Sequence, residues 1–285
     1  MIDLDRYFKR IGYGGVPHAS LDTLRELHLL HPQAIAFENL NPLLGWPVLL
    51  DAASLQRKLV LKRRGGYCFE HNLLFGAVLR ALGFQVTDLA ARVLWNAPPG
   101  SMGPRSHMLL RVELQGRSWI ADVGFGGLTL TAPLLLQPGL EQATPHEPFR
   151  ILDIEGAFVM QARVHSHWKP LYRFDLQPQC QSDYEVTNWY LSNHPASRFV
   201  TGLIAARAAP GQRYALQDNA LSIYTGDGKV LRSRIDSGGA LRALLEHTFG
   251  LVLDDAPELH GALERLCLPQ TATLPLTHGA AGGAG

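Results

Sequence analysis

The stretch Arg63-Arg64-Gly65-Gly66-Tyr67-Cys68-Phe69-Glu70-His71-Asn72 sets a cysteine just behind two glycines and ahead of an apolar run, 73–82. Gly83 stands where a helix ends in a left-handed residue, and Phe84 supplies the hydrophobic contact that follows such an end. Cys68 is therefore expected in the first turn of a helix. Unpaired backbone N–H groups and the positive end of the helix dipole favour a thiolate there. The glycines let the chain turn tightly and leave the sulfur approachable. Two readings compete at this point: a nucleophilic thiol, and a buried core cysteine, the usual fate of a free one. The first needs a base and an orienting group elsewhere in the chain.

Twelve histidines are available as the base, and hairpin geometry selects one. The runs 107–114 and 117–124 flank Gln115-Gly116, which suits a two-residue turn. Leu114 then faces Arg117, and Asp122 comes opposite Leu109. Period-two alternation puts His107, Leu109 and Asp122 on one face, with Met108, Leu110, Val112, Trp119, Ala121 and Val123 on the other. His107 and Asp122 become diagonal neighbours with Cα atoms about 7–8 Å apart. A carboxylate fixes the tautomer of an imidazole and stabilises its cation, as thiol activation and proton return require. One extra turn residue would flip a strand and separate the pair.

The elements that must position these groups change character along the chain. Up to residue 83 it reads as helical without a strong strand: Ser20 caps a helix carrying Leu21, Leu24, Leu27 and Leu30 that Pro32 stops, and another helix runs over 52–62. After Phe84, strands are expected at 86–94, 107–114, 117–123, 150–154, 157–164 and 171–176, a mainly antiparallel and barrel-like middle third. Residues 97–104 form a loop. The last third is mixed, with hairpins over 212–230 turning near Asp218-Asn219 and Asp227-Gly228, then a helix capped by Ser237 that reaches 249 and another opened by Pro257 that ends before Pro269. The tail 277–285 is expected to be disordered.

Composition narrows the class. The chain has 285 residues, 46% hydrophobic and 18% charged, with a net charge of +1 and no basic block longer than Lys62-Arg63-Arg64. That excludes nucleic acid and membrane surfaces as expected partners. Cys68, Cys180 and Cys267 are odd in number and lack C-x-x-C spacing, which points away from disulfides and a zinc ribbon and toward a reducing compartment. No apolar run has membrane-span length and no signal core opens the chain, so a cytoplasmic protein without a metal is expected.

Arg64-Gly65-Gly66-Tyr67-Cys68-Phe69-Glu70 resembles the active-site signature of the arylamine N-acetyltransferases. Phe37-Glu38-Asn39-Leu40 and Asp122-Val123-Gly124-Phe125-Gly126-Gly127 resemble that family's second and third motifs, and 7–13 its opening. Residues 188–199 resemble a late segment in which Asn193 stands where threonine is common.

The resemblance implies an α+β fold: a helical bundle (1–83) carrying the nucleophile, an antiparallel β-barrel (84–190) carrying His and Asp, and an α/β lid (191–276). Together these hold a papain-like Cys-His-Asp site in the compact bacterial form. It implies Cys68 as nucleophile, His107 as base and Asp122 as orienting acid. Acetyl-CoA would be the co-substrate, with no tightly bound cofactor, and small aromatic amines or hydrazines the acceptors. Phe37, Phe125 and Phe199 are the candidates for the acceptor site. Trp95, Gly124, Gly126 and Gly127 are those for the CoA cleft, and Glu38 and Arg64 form a structural ion pair. His71, three residues beyond Cys68 on the helix, faces it poorly for proton transfer. Two alternatives remain beside acetyl transfer, a papain-like thiol hydrolase and a ligand-binding protein on the same scaffold. Amide closure of polyketide chains, known within the family, also stays open.

Overall fold

The computed structural model describes residues 2–98 and 100–268; the expected tail at 277–285 lies outside them. The chain opens with α1 (Leu4–Ile11) and α2 (Leu21–Ala34). Ser20 caps α2 as expected, its Oγ accepting from Thr23 N–H at 3.2 Å. Pro32 does not stop that helix, which runs on to Ala34. A proline one turn from a helix end removes only its own donor, and the helix continues where packing holds it.

Residues 37–38 differ from the purely helical expectation. β1 (Phe37–Glu38) pairs with residues 205–206 far along the chain, and Phe37 also bridges Gly66. A two-residue strand has no periodicity to read, and its partner lies far away in sequence. After α3 (Leu40–Leu43), the helix expected over 52–62 splits into α4 (Ala52–Leu55) and a π-helical turn (Gln56–Leu61). Next comes α5 (Cys68–Ala81), which closes as the sequence foretells. Gly83 is left-handed at φ 87°, and Phe84 N–H reaches back to Leu79 O at 3.0 Å.

The middle third comprises β2 (Gln85–Val93), β3 (His107–Leu114), β4 (Arg117–Ala121), β5 (Leu134–Leu135), β6 (Glu141–Gln142), β7 (Phe149–Ile154), β8 (Ala157–Val164) and β9 (His167–Phe174). Their order, β5-β4-β3-β2-β9-β8-β7-β6, makes a nearly closed, eight-stranded antiparallel barrel. Its interior packs Leu89, Leu109, Ile120, Phe149, Met160 and Tyr172, while Met108, Leu110 and Val112 on the opposite face join the core beneath α5. The β3–β4 register has Leu114 opposite Arg117, with Gln115 and Gly116 both left-handed (φ 53° and 71°). This is the primed turn that the twist of two antiparallel strands favours.

The final part follows as α6 (Gln181–Asn193), α7 (Arg198–Thr201), β10 (Ile204–Ala209), β11 (Gln212–Gln217), β12 (Ala220–Thr225), β13 (Val230–Arg234), α8 (Gly238–His247) and α9 (Pro257–Cys267). β10 to β13 form an antiparallel sheet that β1 completes at one edge, and α8 and α9 pack on it through Leu241, Leu245, Leu259 and Leu263, with Phe249 just past α8 in the same core. The architecture is thus a helical bundle, a barrel and an α/β unit. No helix among the described residues is long and apolar enough to cross a membrane.

Candidate active site

Cys68 is the first residue of α5 and is 4% exposed. The helix starts there because Glu70 turns back, its Oε2 accepting from Tyr67 N–H at 3.1 Å and its Oε1 meeting Lys58 Nζ of the π-helical turn at 2.7 Å. Burial pushes the Glu70 carboxyl up, with the Lys58 charge opposing.

The two glycines serve closeness rather than turning. A β-carbon at Gly65 would sit 2.1 Å from Ala36 O, and one at Gly66 would sit 2.7 Å from the Glu70 carboxylate. The left-handed residue of this loop is Arg63, at φ 53°. The Arg64 guanidinium forks onto Glu38 Oε1 at 3.1 and 2.8 Å, so the loop is tied to β1 through a buried ion pair.

The Cys68 thiol donates to Ser106 O at 3.7 Å, immediately before His107 begins β3. His107 Nε2 lies 2.7 Å from Asp122 Oδ2, just past the end of β4, which leaves Nδ1 as the ring nitrogen free for the thiol. The other carboxylate oxygen accepts from Asn72 Nδ2 and from Gly124 N–H, both at 3.0 Å. Asn72 also holds Met108 O at 2.8 Å and Val123 N–H at 3.1 Å. It sits one helical turn beyond Cys68, so α5 presents the thiol and the clamp on Asp122 from one face. Behind them, Asp122 N–H donates to His28 Nε2 at 3.0 Å.

Sequence reading finds Cys68, His107 and Asp122 but misses Asn72, His28 and Tyr172. The i+4 spacing from Cys68 is the signal that singles out Asn72. The Tyr172 ring packs 5.0 Å from His107 and 5.1 Å from Phe125, and its buried hydroxyl meets no hydrogen-bond partner among the described residues.

Electrostatics sorts the histidines. Burial disfavours a charged His107, but the Asp122 carboxylate and the Cys68 sulfur outweigh it and push its pKa up to about 10. Burial likewise works against the Asp122 carboxylate, and His107, Asn72 and Gly124 overcome it and hold the group below its usual range.

His28 and His71 are held down near 4 by burial, and burial also holds His31 well below its ordinary value. His71 is engaged away from Cys68: Nδ1 meets His31 Nε2 at 2.9 Å and Nε2 meets Ala36 O at 3.2 Å. Tyr7 OH closes this buried chain on His31 Nδ1 at 2.8 Å.

A depressed histidine stabilises the fold above its unfolded pKa of about 6.5, and the contribution disappears as pH falls. A raised one stabilises below that value and loses its effect as pH climbs. Thermal midpoints should therefore fall from pH 6.5 toward 4, through His28, His31 and His71. They should fall again from neutral pH toward 10, through His107. Calorimetry checks this, and a midpoint flat across the acid range would contradict neutral burial of the three.

The candidate aromatic residues fall into two groups. Phe37 stacks on His71 and packs 6.1 Å from Phe199, which stands edge-on to Tyr67 at 5.3 Å. Phe125 stands edge-on to His107 at 5.1 Å. Asn39 secures the first group, donating to Phe199 O and Gly202 O at 2.7 Å and accepting from Ile204 N–H at 2.6 Å.

Gly126 (φ 84°) lies over the Phe37 ring, with its would-be β-carbon 3.7 Å away, and a β-carbon at Gly127 would stand 3.9 Å from Ala215 Cβ. Gly124 instead touches α5: a β-carbon there would stand 2.9 Å from Asn72 Nδ2 and 3.0 Å from the Cys68 backbone. Gly124→Ala is expected to push α5 off the hairpin, lowering the thermal midpoint and slowing Cys68 alkylation together. Wild-type values for both would refute this packing. Trp95 is exposed in the turn after β2, its backbone N–H donating to Leu171 O at 3.0 Å. Asn193 is exposed on α6, and among the described residues its side chain donates to Trp189 O and Ser192 Oγ. Among the described residues no group of three or more His, Cys, Asp or Glu is placed to hold a metal ion.

A thiol on a helix N-terminus, set against an imidazole–carboxylate pair on an adjoining barrel, is the papain-like plan. The N-acetyltransferase family model matches residues 20–258. An arylamine N-acetyltransferase of Mycobacterium tuberculosis is 45% identical over 92% of this chain and 94% of its own. The enzyme of that name from Escherichia coli is 44% identical over 94% and 95%. The solved structure of Mycobacterium marinum arylamine N-acetyltransferase in complex with CoA superposes with a TM-score of 0.90 at 41% identity, covering 93% of this chain and 100% of that one. The chain belongs to the arylamine N-acetyltransferase family and is an acetyltransferase.

Proposed function

We propose that the protein moves an acetyl group from acetyl-CoA to arylamines and arylhydrazines through an acetyl-cysteine intermediate. The observation that carries this is the Cys68 thiol at the N-terminus of α5 beside His107, whose far nitrogen lies 2.7 Å from Asp122. In this reading the Cys68 thiol passes its proton to His107, and Asp122 stabilises the imidazolium that forms. Sγ attacks the thioester carbonyl, and the collapsing tetrahedral intermediate expels the CoA sulfur, which takes the His107 proton. The amine then attacks the acetyl-cysteine, gives its proton to His107 and releases Cys68 as thiolate. N–H groups in the first turn of α5 are the donors best placed for the oxyanion.

Residues 1–83 supply the nucleophile, 84–190 the base and carboxylate, and 191–276 the lid. Phe37, Phe125 and Phe199 would sandwich the aromatic acceptor, while Trp95, Gly124, Gly126 and Gly127 would border the CoA path. The CoA complex of the M. marinum relative supports CoA as the donor's carrier here. A free reactive thiol suits a reducing compartment such as the cytoplasm.

Intact mass after incubation with acetyl-CoA tests the scheme. One acetyl adduct is expected, absent in Cys68→Ala and lost as acetanilide appears when aniline is added. An adduct removed only by water would favour a hydrolase, and none at all would overturn the donor assignment.

A further inference from the structure

β2 and β9 pair at only three positions, Ala91↔Phe174, Arg92↔Arg173 and Val93↔Tyr172. Two arginines thus face each other directly across an antiparallel ladder, an arrangement that destabilises a sheet. Neither finds a carboxylate among the described residues. Arg92 Nη1 donates to Gly103 O at 2.6 Å, and the Arg173 guanidinium has no hydrogen-bond or ion-pair partner among the described residues. A third guanidinium, Arg105, enters from the loop ahead of β3 and meets Asp175 at 2.5 Å and Gln177 Oε1 at 3.3 Å. A cavity of about 240 Å³ opens among the three, with Met102, Phe174 and Asp175 also in its wall.

The geometry points to a second binding site, for a phosphoryl group, made by Arg92, Arg105 and Arg173. Three guanidinium cations against one carboxylate leave two positive charges, the complement of a phosphate dianion. The planar guanidinium fork matches phosphoryl oxygens and forms the stronger, charge-assisted class of hydrogen bond. At about 30 Å³ per water, the cavity holds the equivalent of about eight waters, enough for a diphosphate. An occupant would also brace the loop that feeds the Cys68 site. Arg92 already holds Gly103, and Arg105 precedes Ser106, whose carbonyl receives the thiol.

Two sources carry this chemistry: the phosphates of a coenzyme A donor, and free phosphate or diphosphate. Only the first rests on the acetyl-transfer reading, so the decisive probe is inorganic pyrophosphate. Calorimetric titration of the full chain, with ionic strength held constant by KCl, is compared with Arg92→Gln and Arg173→Gln. Pyrophosphate should bind the wild type at one site and raise its thermal midpoint. Each variant should bind at least about tenfold more weakly, the loss expected for one hydrogen bond to a charged group.

Without pyrophosphate, Arg173→Gln should be at least as stable as the wild type, because one of two opposed cations is gone. Displacement of pyrophosphate by coenzyme A but not by pantetheine identifies the CoA phosphates as the occupant. Binding undisturbed by coenzyme A identifies a separate anion. No binding to the wild type, or equal binding to all three proteins, overturns the site.

Discussion

Asp122→Asn is expected to lower the acetyl-transfer rate about 10⁴-fold, the scale of the corresponding change in a serine-protease triad. The asparagine oxygen can still accept from Asn72 and Gly124, which hold Oδ1 at 3.0 Å, so the hairpin keeps its shape. Its amide nitrogen must then face His107 Nε2, 2.7 Å away in the wild type. A donor there forces Nε2 to be the unprotonated nitrogen and puts the hydrogen on Nδ1, the side that should accept a proton from the thiol. The imidazolium also loses the charge that most raises its pKa. Iodoacetamide inactivation measured against pH should lose its neutral-pH plateau in the variant and keep it in the wild type. A rate loss below about tenfold would be inconsistent with an orienting role for Asp122 on the scale seen in triads.

Arg64→Ala is expected to destabilise the fold by about 3–5 kcal/mol, because it strands a carboxylate in the interior. Glu38 is fully buried, and its second oxygen already takes Leu40 N–H at 2.6 Å, so no rearrangement carries it to water. For a chain of this size the thermal midpoint should drop by about 10 °C. Burial alone would raise the Glu38 carboxyl, but Arg64 and Lys58 prevail and hold it below the ordinary range. Its stabilising effect is therefore present above the ordinary carboxylate range and is lost as pH falls, so the variant's deficit should narrow in acid. The double change Glu38→Leu with Arg64→Met removes both charges and should melt well above Arg64→Ala. A double variant melting no higher would show that the pair is not what holds β1 against the Cys68 loop.

Local chemistry settled a large part of the architecture and of the Cys68, His107 and Asp122 geometry. The Gly83 helix end, the Gln115-Gly116 turn and the alternation along β3 and β4 involve residues only a few positions apart. Steric limits on φ and the two-residue pleat decide such features before any distant contact forms. That is why His107 and Asp122 can be placed on one face from spacing alone.

Other features depend on which elements meet. β1 exists because residues 205–206 supply its partners. Gly65 and Gly66 are required by Ala36 O and the Glu70 carboxylate, not by the turn they sit in. Asn72 and His28 become partners of Asp122 only when α5 and α2 pack against the β3–β4 hairpin. Arg92 and Arg173, 81 positions apart, face each other only once β2 and β9 pair. Satisfying a buried carboxylate or opposing two cations depends on which distant side chains surround it, and tertiary packing alone decides that.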